Sequence, residues 1–413
     1  MLFNSYQFLI FFPLVTGAYF LLGPAGRRVL LLIASCVFYM AFIPAYVLIL
    51  FAIILADYFA AFWIARAAPR GRRLALAVSL AANVGLLAVF KYYPFIREQS
   101  ALAMRALGWS ELPLPGSEWL LPIGLSFHTF QAMSYTIEVY RGRVAPERNL
   151  LTYALYVMFY PQLVAGPIER PQHLLPQLSC TQPFDYGRVV AGLRLMAWGL
   201  FKKVVIADRI AIYVTAVYGA PEAYQGLPLL LATYLFAMQI YCDFSGYSDI
   251  AIGAARVMGI DLMQNFNRPY AARSIPEFWR RWHISLSTWF RDYVYIPLGG
   301  NRLPAGRHVA LLLLVFAISG FWHGAAWGFV AWGVLHGLYM VASMATRTLR
   351  GRVAAAIGLP DAHPLRRALQ TVVTFHLVAF AWIFFRADSF EDAFYIATHL
   401  VRAWSSSAST ATT

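Results

Sequence analysis

Charge is what this sequence has least of. Only 13% of its 413 residues are Asp, Glu, Lys or Arg, where soluble domains carry about a quarter. Acidic side chains are scarcer than basic ones, 19 against 33, and no stretch reads as a soluble domain. Cysteine is nearly absent. Cys36, Cys180 and Cys242 stand alone, which excludes a disulfide framework and a cysteine metal knuckle. No internal repeat is visible, which argues against an inverted-repeat transporter. No G-x-S-x-G element occurs, which argues against a nucleophilic-serine enzyme. The run from Tyr6 to Leu22 lacks a basic leader and a small-residue cleavage site, so it reads as a retained first membrane helix.

What the chain does have is apolar sequence, 60% of the whole. Runs that suit a bilayer crossing, about 20 residues or slightly fewer, fall at 6–22, 28–44, 46–65, 74–93, 119–139, 150–166, 189–206, 227–242, 308–322, 326–345, 368–386 and 390–402. They are continuous rather than alternating, which excludes a β-barrel. The expected fold is an all-α polytopic membrane protein of about 10–12 helices with re-entrant or interfacial segments. It is read as a single membrane-embedded domain over 1–413 with a polar tail at 403–413. Arg194, Lys202 and Lys203 make 189–206 a candidate interfacial or re-entrant helix.

The net charge of +14 comes from short arginine clusters between apolar runs, the pattern of the positive-inside rule rather than of nucleic-acid binding. Arg27 and Arg28 follow the first run, Arg66, Arg70, Arg72 and Arg73 the third, and Arg141, Arg143 and Arg148 the fifth. Between them the loops hold few cations, among them Arg97 and Arg105. This alternation places the N-terminus outside the cytoplasm.

Beyond residue 166 the pattern becomes irregular. Gly166-Pro167, the stretch Pro171 to Pro183 and the region 246–300 mix turn formers with charge. Irregular backbone at membrane depth needs protein or a wet cavity to satisfy it, so a ring or cup of helices around a wet interior is expected. Three segments are too polar or aromatic for lipid contact: "YCDFSGYSDIAIG" with Asp243 and Asp249, "PEFWRRWHISLSTWFRDYVYIPLGGNR" with His283, and "SGFWHGAAWGFVAWGVLHG" with His323 and His336. Asp243 and Asp249 are expected partners for buried arginines, because a lone intramembrane carboxylate is costly.

Basic groups at Arg302 and Arg307 and at Arg347, Arg350 and Arg352 predict a hairpin over 308–345. His323 then lies roughly 24 Å of helix beyond Arg307, toward the outer half of the bilayer. Gly320 and Gly324 leave space for a close-approaching chain or ligand. On one straight helix His336 points about 220° away from His323, so the two share a site only if "GAAWG" breaks the helix. An imidazole here can take a proton from a hydroxyl and return it to a leaving group. Trp N–H groups, Arg291 and backbone amides are candidate oxyanion donors. A structural reading competes: Trp279, Trp282 and Trp289 also suit an interfacial aromatic belt, with Arg280 and Arg281 as an inside anchor. His128 and His376 read as satisfied helix-packing residues.

"PEFWRRWHISLSTWFRDYVYIPLGG" and "SGFWHGAAWGFVAWGVLHG" resemble the membrane-bound O-acyltransferase family, in its bacterial branch of alginate O-acetylation membrane subunits and teichoic acid D-alanyltransferases. "FKYYPF", "LPIGLSFHTFQAMSYTIEVYRG", "FYPQLVAGPIERPQHLLPQ" and "YCDFSGYSDIAIG" follow that family's order along nearly the whole chain. The resemblance implies a ring of helices around a central tunnel or funnel. It implies acyl transfer, chiefly acetyl, from a cytoplasmic thioester toward an extracytoplasmic polymer. It assigns His323 to catalysis, with His283 as the other signature histidine. Trp282, Ser285, Arg291, Asp292, Trp322, His336, Asp243 and Asp249 are then expected to line the tunnel or handle substrate, and no metal is expected.

No permanently bound cofactor is implied, only a thioester co-substrate, acetyl-coenzyme A or an acylated carrier protein. The expected partners are membrane lipids, an extracytoplasmic acetyltransferase of SGNH type and a cytoplasmic acyl-donor protein, and no nucleic acid. The expected location is the inner, cytoplasmic membrane. After "WIFFRADSFEDAF" relatives continue with more apolar helix, whereas this chain turns to "SSSASTATT". Competing readings are D-alanyl transfer to a teichoic acid-type polymer, a transporter of an anionic or lipid-linked substrate, and a scaffold of a polymer-export assembly.

Overall fold

The structure is a computed structural model that describes residues 1–110, 122, 124–164, 166–180, 182–360 and 362–401. Among these residues every regular element is helical. The first half holds α1 (Tyr6–Leu21), α2 (Pro24–Met40), α3 (Tyr46–Arg66), α4 (Pro69–Leu87), α5 (Tyr93–Ala106), α6 (Leu125–Tyr140), α7 (Leu150–Met158), α8 (Pro171–Ser179) and α9 (Tyr186–Leu200). The second holds α10 (Asp208–Tyr218), α11 (Leu227–Val257), α12 (Ile275–Arg281), α13 (Ile284–Phe290), α14 (Ala305–His323), α15 (Trp327–Ala345), α16 (Arg347–Ala356), α17 (Pro364–Arg386) and α18 (Phe390–His399). π-Helical turns occupy Ala88–Tyr92, Phe201–Ala207 and Arg291–Tyr295.

Among the described residues, six helical stretches are long and apolar enough to cross a bilayer: α3, α4 through α5 as one run, α11, α14, α15 and α17. A shorter apolar helix, α1, buries Phe8, Phe12, Val15 and Tyr19 but presents Leu9, Ile10 and Leu14 outward. A helix that is apolar on all sides suits lipid on its outer face.

Several expected spans differ from the observed helices. The run 150–166 is helical only to Met158, after which Pro161, which has no backbone N–H, sits in a turn. The run 390–402 yields a ten-residue helix, α18, too short to cross. The run 227–242 extends without interruption to Val257, so the turn-like glycines after residue 245 lie inside a helix. The start of the 119–139 run and the 403–413 tail lie outside the described residues.

The contacts group the chain into two compact units. The first comprises Met1–Phe201, Phe244–Asn265 and His283–Tyr293. Here α6 is buried on nearly every side, so its polar groups find protein partners. Gln131 Nε2 donates to the Tyr156 carbonyl at 2.6 Å, and Ser134 Oγ to the Phe130 carbonyl at 2.7 Å. Asp57 of α3, fully buried, accepts from Ser79 at 2.6 Å and Asn83 at 2.8 Å on α4, and Ser79 lies 3.0 Å from Thr136 of α6. In lipid such groups have no water to turn to.

The α9–α11 crossing explains the misread glycines. A Cβ on Gly253 would stand 2.6 Å from the Gly192 carbonyl oxygen, and one on Gly192 would stand 2.7 Å from that of Gly253. One turn pair further, a Cβ on Gly199 would meet the Gly246 carbonyl oxygen at 2.5 Å. These glycines let two backbones touch, as small residues do at membrane helix crossings.

The second unit comprises Lys202–Asp243, Phe266–Trp282 and the chain from Val294. Its centre is the α14–α15 hairpin, broken at Gly324–Ala326 as "GAAWG" suggested. Gly320 and Gly333 face each other across it, and a methyl group on either would strike the Phe329 or Phe316 carbonyl. The space at Gly320 and Gly324 is therefore filled by Phe329, its carbonyl and its ring, not left for a ligand. Helices α12 and α17 pack against α15.

Candidate functional site

In the second unit the polar aromatics collect around α15. Trp332 and His336 stand one helical turn apart on it, 1% and 0% exposed. His323 ends α14, and its ring lies 5.1 Å from Trp332, centroid to centroid. His336 lies 5.2 Å from the same indole. The helix break thus brings both histidines to one tryptophan. Trp382 of α17 stacks on Trp332 at 5.5 Å, and Phe385 contacts both Trp332 and His323.

Helix α12 adds Trp279. It starts where Ser274 Oγ accepts the Glu277 N–H, with Pro276 in the first turn. Burial pushes the Glu277 carboxyl up, but the Arg273 backbone N–H and the Arg281 and Arg273 guanidinium groups outweigh it and hold the group below the usual carboxylate range. Trp279 Nε1 lies 3.3 Å from His336 Nδ1. An indole N–H only donates, so Nδ1 accepts and the proton of the His336 ring sits on Nε2. Trp282 is 2% exposed and packs on Phe278 and Trp382. Trp322 is also buried, against the His323 ring at 4.9 Å.

The first unit holds His283. It is buried in left-handed backbone, φ 44° and ψ 55°, at the start of α13. Asn265 organises it. Its Oδ1 accepts from the Ser285 backbone N–H at 3.2 Å and the Ser285 hydroxyl at 3.0 Å, and lies 3.1 Å from His283 Nδ1. The backbone N–H can only donate, so it fixes the amide orientation of Asn265. His283 Nδ1 therefore carries the proton and Nε2 the lone pair. The two histidines are held as opposite tautomers. Phe244 closes on the His283 ring edge-to-face at 4.7 Å.

Arg291 and Asp292 belong to a separate ionic group. Asp292 receives Arg291 at 2.8 Å and Arg170 at 3.4 Å, and its carbonyl accepts from Arg141 at 3.0 Å. Arg170 and Arg141 flank the Tyr293 ring at 4.6 and 5.0 Å. The exposed Arg291 is thus engaged by its neighbour. Nearby in sequence, His173 Nδ1 meets the buried Glu169 carboxylate at 2.7 Å, and that hydrogen bond raises the His173 pKa.

Of the expected site residues in the second unit, His323 and His336 meet Trp332, Trp322 packs on His323 and Trp282 on Trp382, whereas Asp243 has an ionic partner of its own. Asp243 pairs with Lys203 at 2.6 Å rather than with an arginine, and Lys203 also holds Asp208 at 2.8 Å. The first unit gathers His283 and Ser285 on Asn265 and holds Arg291 and Asp292 in their own ionic group; Asp249 is partly buried. The aromatic-belt reading does not hold for Trp289, whose ring stacks on Phe130 at 3.8 Å and whose N–H reaches Ser134 Oγ at 2.9 Å. His128 is buried as expected, but its Nε2 has no partner among the described residues. His376 packs on Tyr234, with Nδ1 2.7 Å from the Val372 carbonyl. Sequence reasoning missed Asn265 and Trp332. No local signal marks the first, and the second hid in a tryptophan-rich run.

Residues 141–356 match the membrane-bound O-acyltransferase family. The chain is 36% identical over 396 residues to the probable alginate O-acetylase AlgI of Pseudomonas aeruginosa, covering 95% of this chain and 73% of that protein. It is 35% identical to the peptidoglycan O-acetyltransferase of Helicobacter pylori, over 97% of this chain and 80% of that protein. A teichoic acid D-alanyltransferase of Bacillus subtilis is 29% identical over 65% of this chain and 69% of its own length. With several helices long and apolar enough to cross a bilayer and similarity over 95% of its length, the chain belongs to the membrane-bound O-acyltransferase family and is a multi-pass membrane acyltransferase.

Proposed function

We propose that this chain transfers an acetyl group from a cytoplasmic thioester to a hydroxyl on the extracytoplasmic side, for O-acetylation of an exopolysaccharide or cell-wall polymer. The observation that carries this reading is the pattern of similarity. The O-acetyl relatives match at 35–36% over 95–97% of the chain, and the D-alanyl relative at 29% over 65%. D-Alanyl transfer, the second reading, uses the same chemistry with another thioester.

In this reading His323 is the base. It removes the proton as the acceptor oxygen bonds to the thioester carbonyl carbon and the C=O pair moves onto oxygen. When the pair returns, the C–S bond breaks and the thiolate takes the proton, giving ester and thiol. His283, with its Nε2 lone pair, serves as a second proton acceptor on the path of substrate. Trp282, Ser285, Arg291, Asp292, Trp322, Asp243 and Asp249 are proposed to line that path. The reading includes the ring of helices around a funnel, an inner-membrane location and an extracytoplasmic N-terminus, supported by the alternation of basic loops. It includes acetyl-coenzyme A or an acylated carrier protein as donor, and an extracytoplasmic SGNH-type protein as partner.

The test uses purified protein in nanodiscs with radiolabelled acetyl-coenzyme A and polysaccharide or partner protein. Transfer by the wild type that disappears in His323→Ala is expected. Transfer that persists in His323→Ala removes the base assigned here. Uptake of donor into sealed vesicles without acyl transfer points to the transporter reading.

A further inference from the structure

Most polar atoms in the aromatic box around α15 are spoken for. Trp279 gives its N–H to His336 Nδ1 at 3.3 Å, and Trp382 gives its N–H to the Tyr270 hydroxyl at 3.2 Å. Tyr270 in turn donates to the Ala237 carbonyl at 2.6 Å. Two atoms stand out. Trp332 Nε1 and His336 Nε2 are buried and have no hydrogen-bond partner among the described residues. Leaving a buried polar group unpaired is costly, so a pair of them on one helix face asks for an explanation.

Both are donors. Trp332 Nε1 is an indole N–H, and the Trp279 contact puts the imidazole proton of His336 on Nε2. A ring that accepts at Nδ1 is neutral, so His336 cannot act as a base through Nε2, where it has no lone pair. Two donors one helical turn apart, with ring centroids 5.2 Å apart, match an acceptor oxygen rather than a cation or a second donor. The His323 ring is 5.1 Å from Trp332, so an oxygen held by Trp332 has the proposed base nearby.

We infer that Trp332 Nε1–H and His336 Nε2–H form a donor pocket for the carbonyl oxygen of the acyl thioester, with Trp279 positioning His336 by fixing its tautomer. This rests on the acyl-transfer reading and names the part of the donor that the α15 face recognises. As the acceptor oxygen adds to the carbonyl carbon, the C=O pair moves onto that oxygen, and the two N–H groups stabilise the charge. Preorganised donors of this type act on the transition state more than on the bound ground state.

The experiment follows acetyl transfer from acetyl-coenzyme A in nanodiscs for wild type, Trp332→Phe, His336→Phe, His336→Gln and His323→Ala. Trp332→Phe keeps the ring and removes only the N–H. It is expected to lower kcat about 100-fold, with KM for the donor changed less than about threefold. His336→Gln keeps a donor and an acceptor and is expected to recover most of the kcat lost in His336→Phe. A glutamine no better than phenylalanine overturns the donor role of His336. A second readout is independent of turnover: the infrared carbonyl band of 13C-acetyl-coenzyme A bound to His323→Ala. It is expected below the frequency of the free thioester, and to return toward it when Trp332→Phe or His336→Phe is added. An unshifted band, or wild-type kcat in Trp332→Phe, overturns the pocket and assigns both N–H groups to neighbouring ring faces. Failure of His323→Ala to reduce transfer strikes the catalytic reading instead, since the carbonyl band does not depend on that base.

Discussion

His283 Nδ1 lies 3.1 Å from Oδ1 of Asn265, an atom that also takes two hydrogen bonds from Ser285. One amide oxygen thereby sets the proton position on a buried imidazole and caps the turn that carries it. Asn265→Ala removes all three acceptor contacts and leaves buried donors unpaired. The variant is expected to lose about 1–3 kcal/mol of stability and most acyl transfer. Thermal unfolding in detergent and transfer at saturating donor check this. Wild-type transfer in a folded Asn265→Ala would show that the tautomer of His283 is irrelevant.

The left-handed backbone at His283, φ 44°, makes a second prediction. Asn tolerates this conformation, whereas a β-branched residue is a steric outlier there. His283→Asn is expected to unfold within about 1 kcal/mol of His283→Gly, and His283→Val to be about 1–2 kcal/mol less stable than either. Equal unfolding temperatures for the asparagine and valine variants would show that the turn relaxes.

Glycines of the α9–α11 crossing and glycines elsewhere should respond oppositely to a methyl group. Gly253→Ala puts a Cβ 2.6 Å from the Gly192 carbonyl oxygen, and is expected to cost about 1–3 kcal/mol through overpacking. Gly85→Ala in α4 meets nothing within 4 Å, and is expected to gain up to about 1 kcal/mol from helix propensity. Detergent melting of the two single variants decides, and a stabilised Gly253→Ala would refute the backbone contact.

The His173–Glu169 pair predicts a pH dependence. The Glu169 hydrogen bond raises the His173 pKa above its ordinary 6.5. The stabilisation is therefore fully present below about pH 6.5 and is lost as pH rises through the raised folded value. His173 is 42% exposed, so solvent screens the pair and the effect is small. The unfolding temperature is expected to fall on raising pH across this window, less so in His173→Gln. An identical pH response in the variant would remove the pair as its source.

Much of the architecture was legible from local pattern. Runs such as Tyr46–Arg66 and Pro364–Arg386 announce membrane helices because lipid requires a long apolar stretch with its backbone bonded internally. The break between His323 and His336 was legible too, since "GAAWG" is a poor helix. The glycines at 246 and 253 were read as turn formers, because in sequence a glycine that opens a turn looks the same as one that lets a second helix approach. Only the arrival of Gly199 and Gly192 distinguishes the two.

The sequence by itself determined that this is a helical membrane acyltransferase and which histidines stand in its polar segments, because hydropathy and motif order are properties of the chain alone. Tertiary structure decided what each imidazole can do. The proton on His283 is placed by Asn265, 18 residues away, and that on His336 by Trp279, 57 residues away. A neutral imidazole is donor or acceptor at Nε2 according to what its Nδ1 meets, and that partner is chosen by packing.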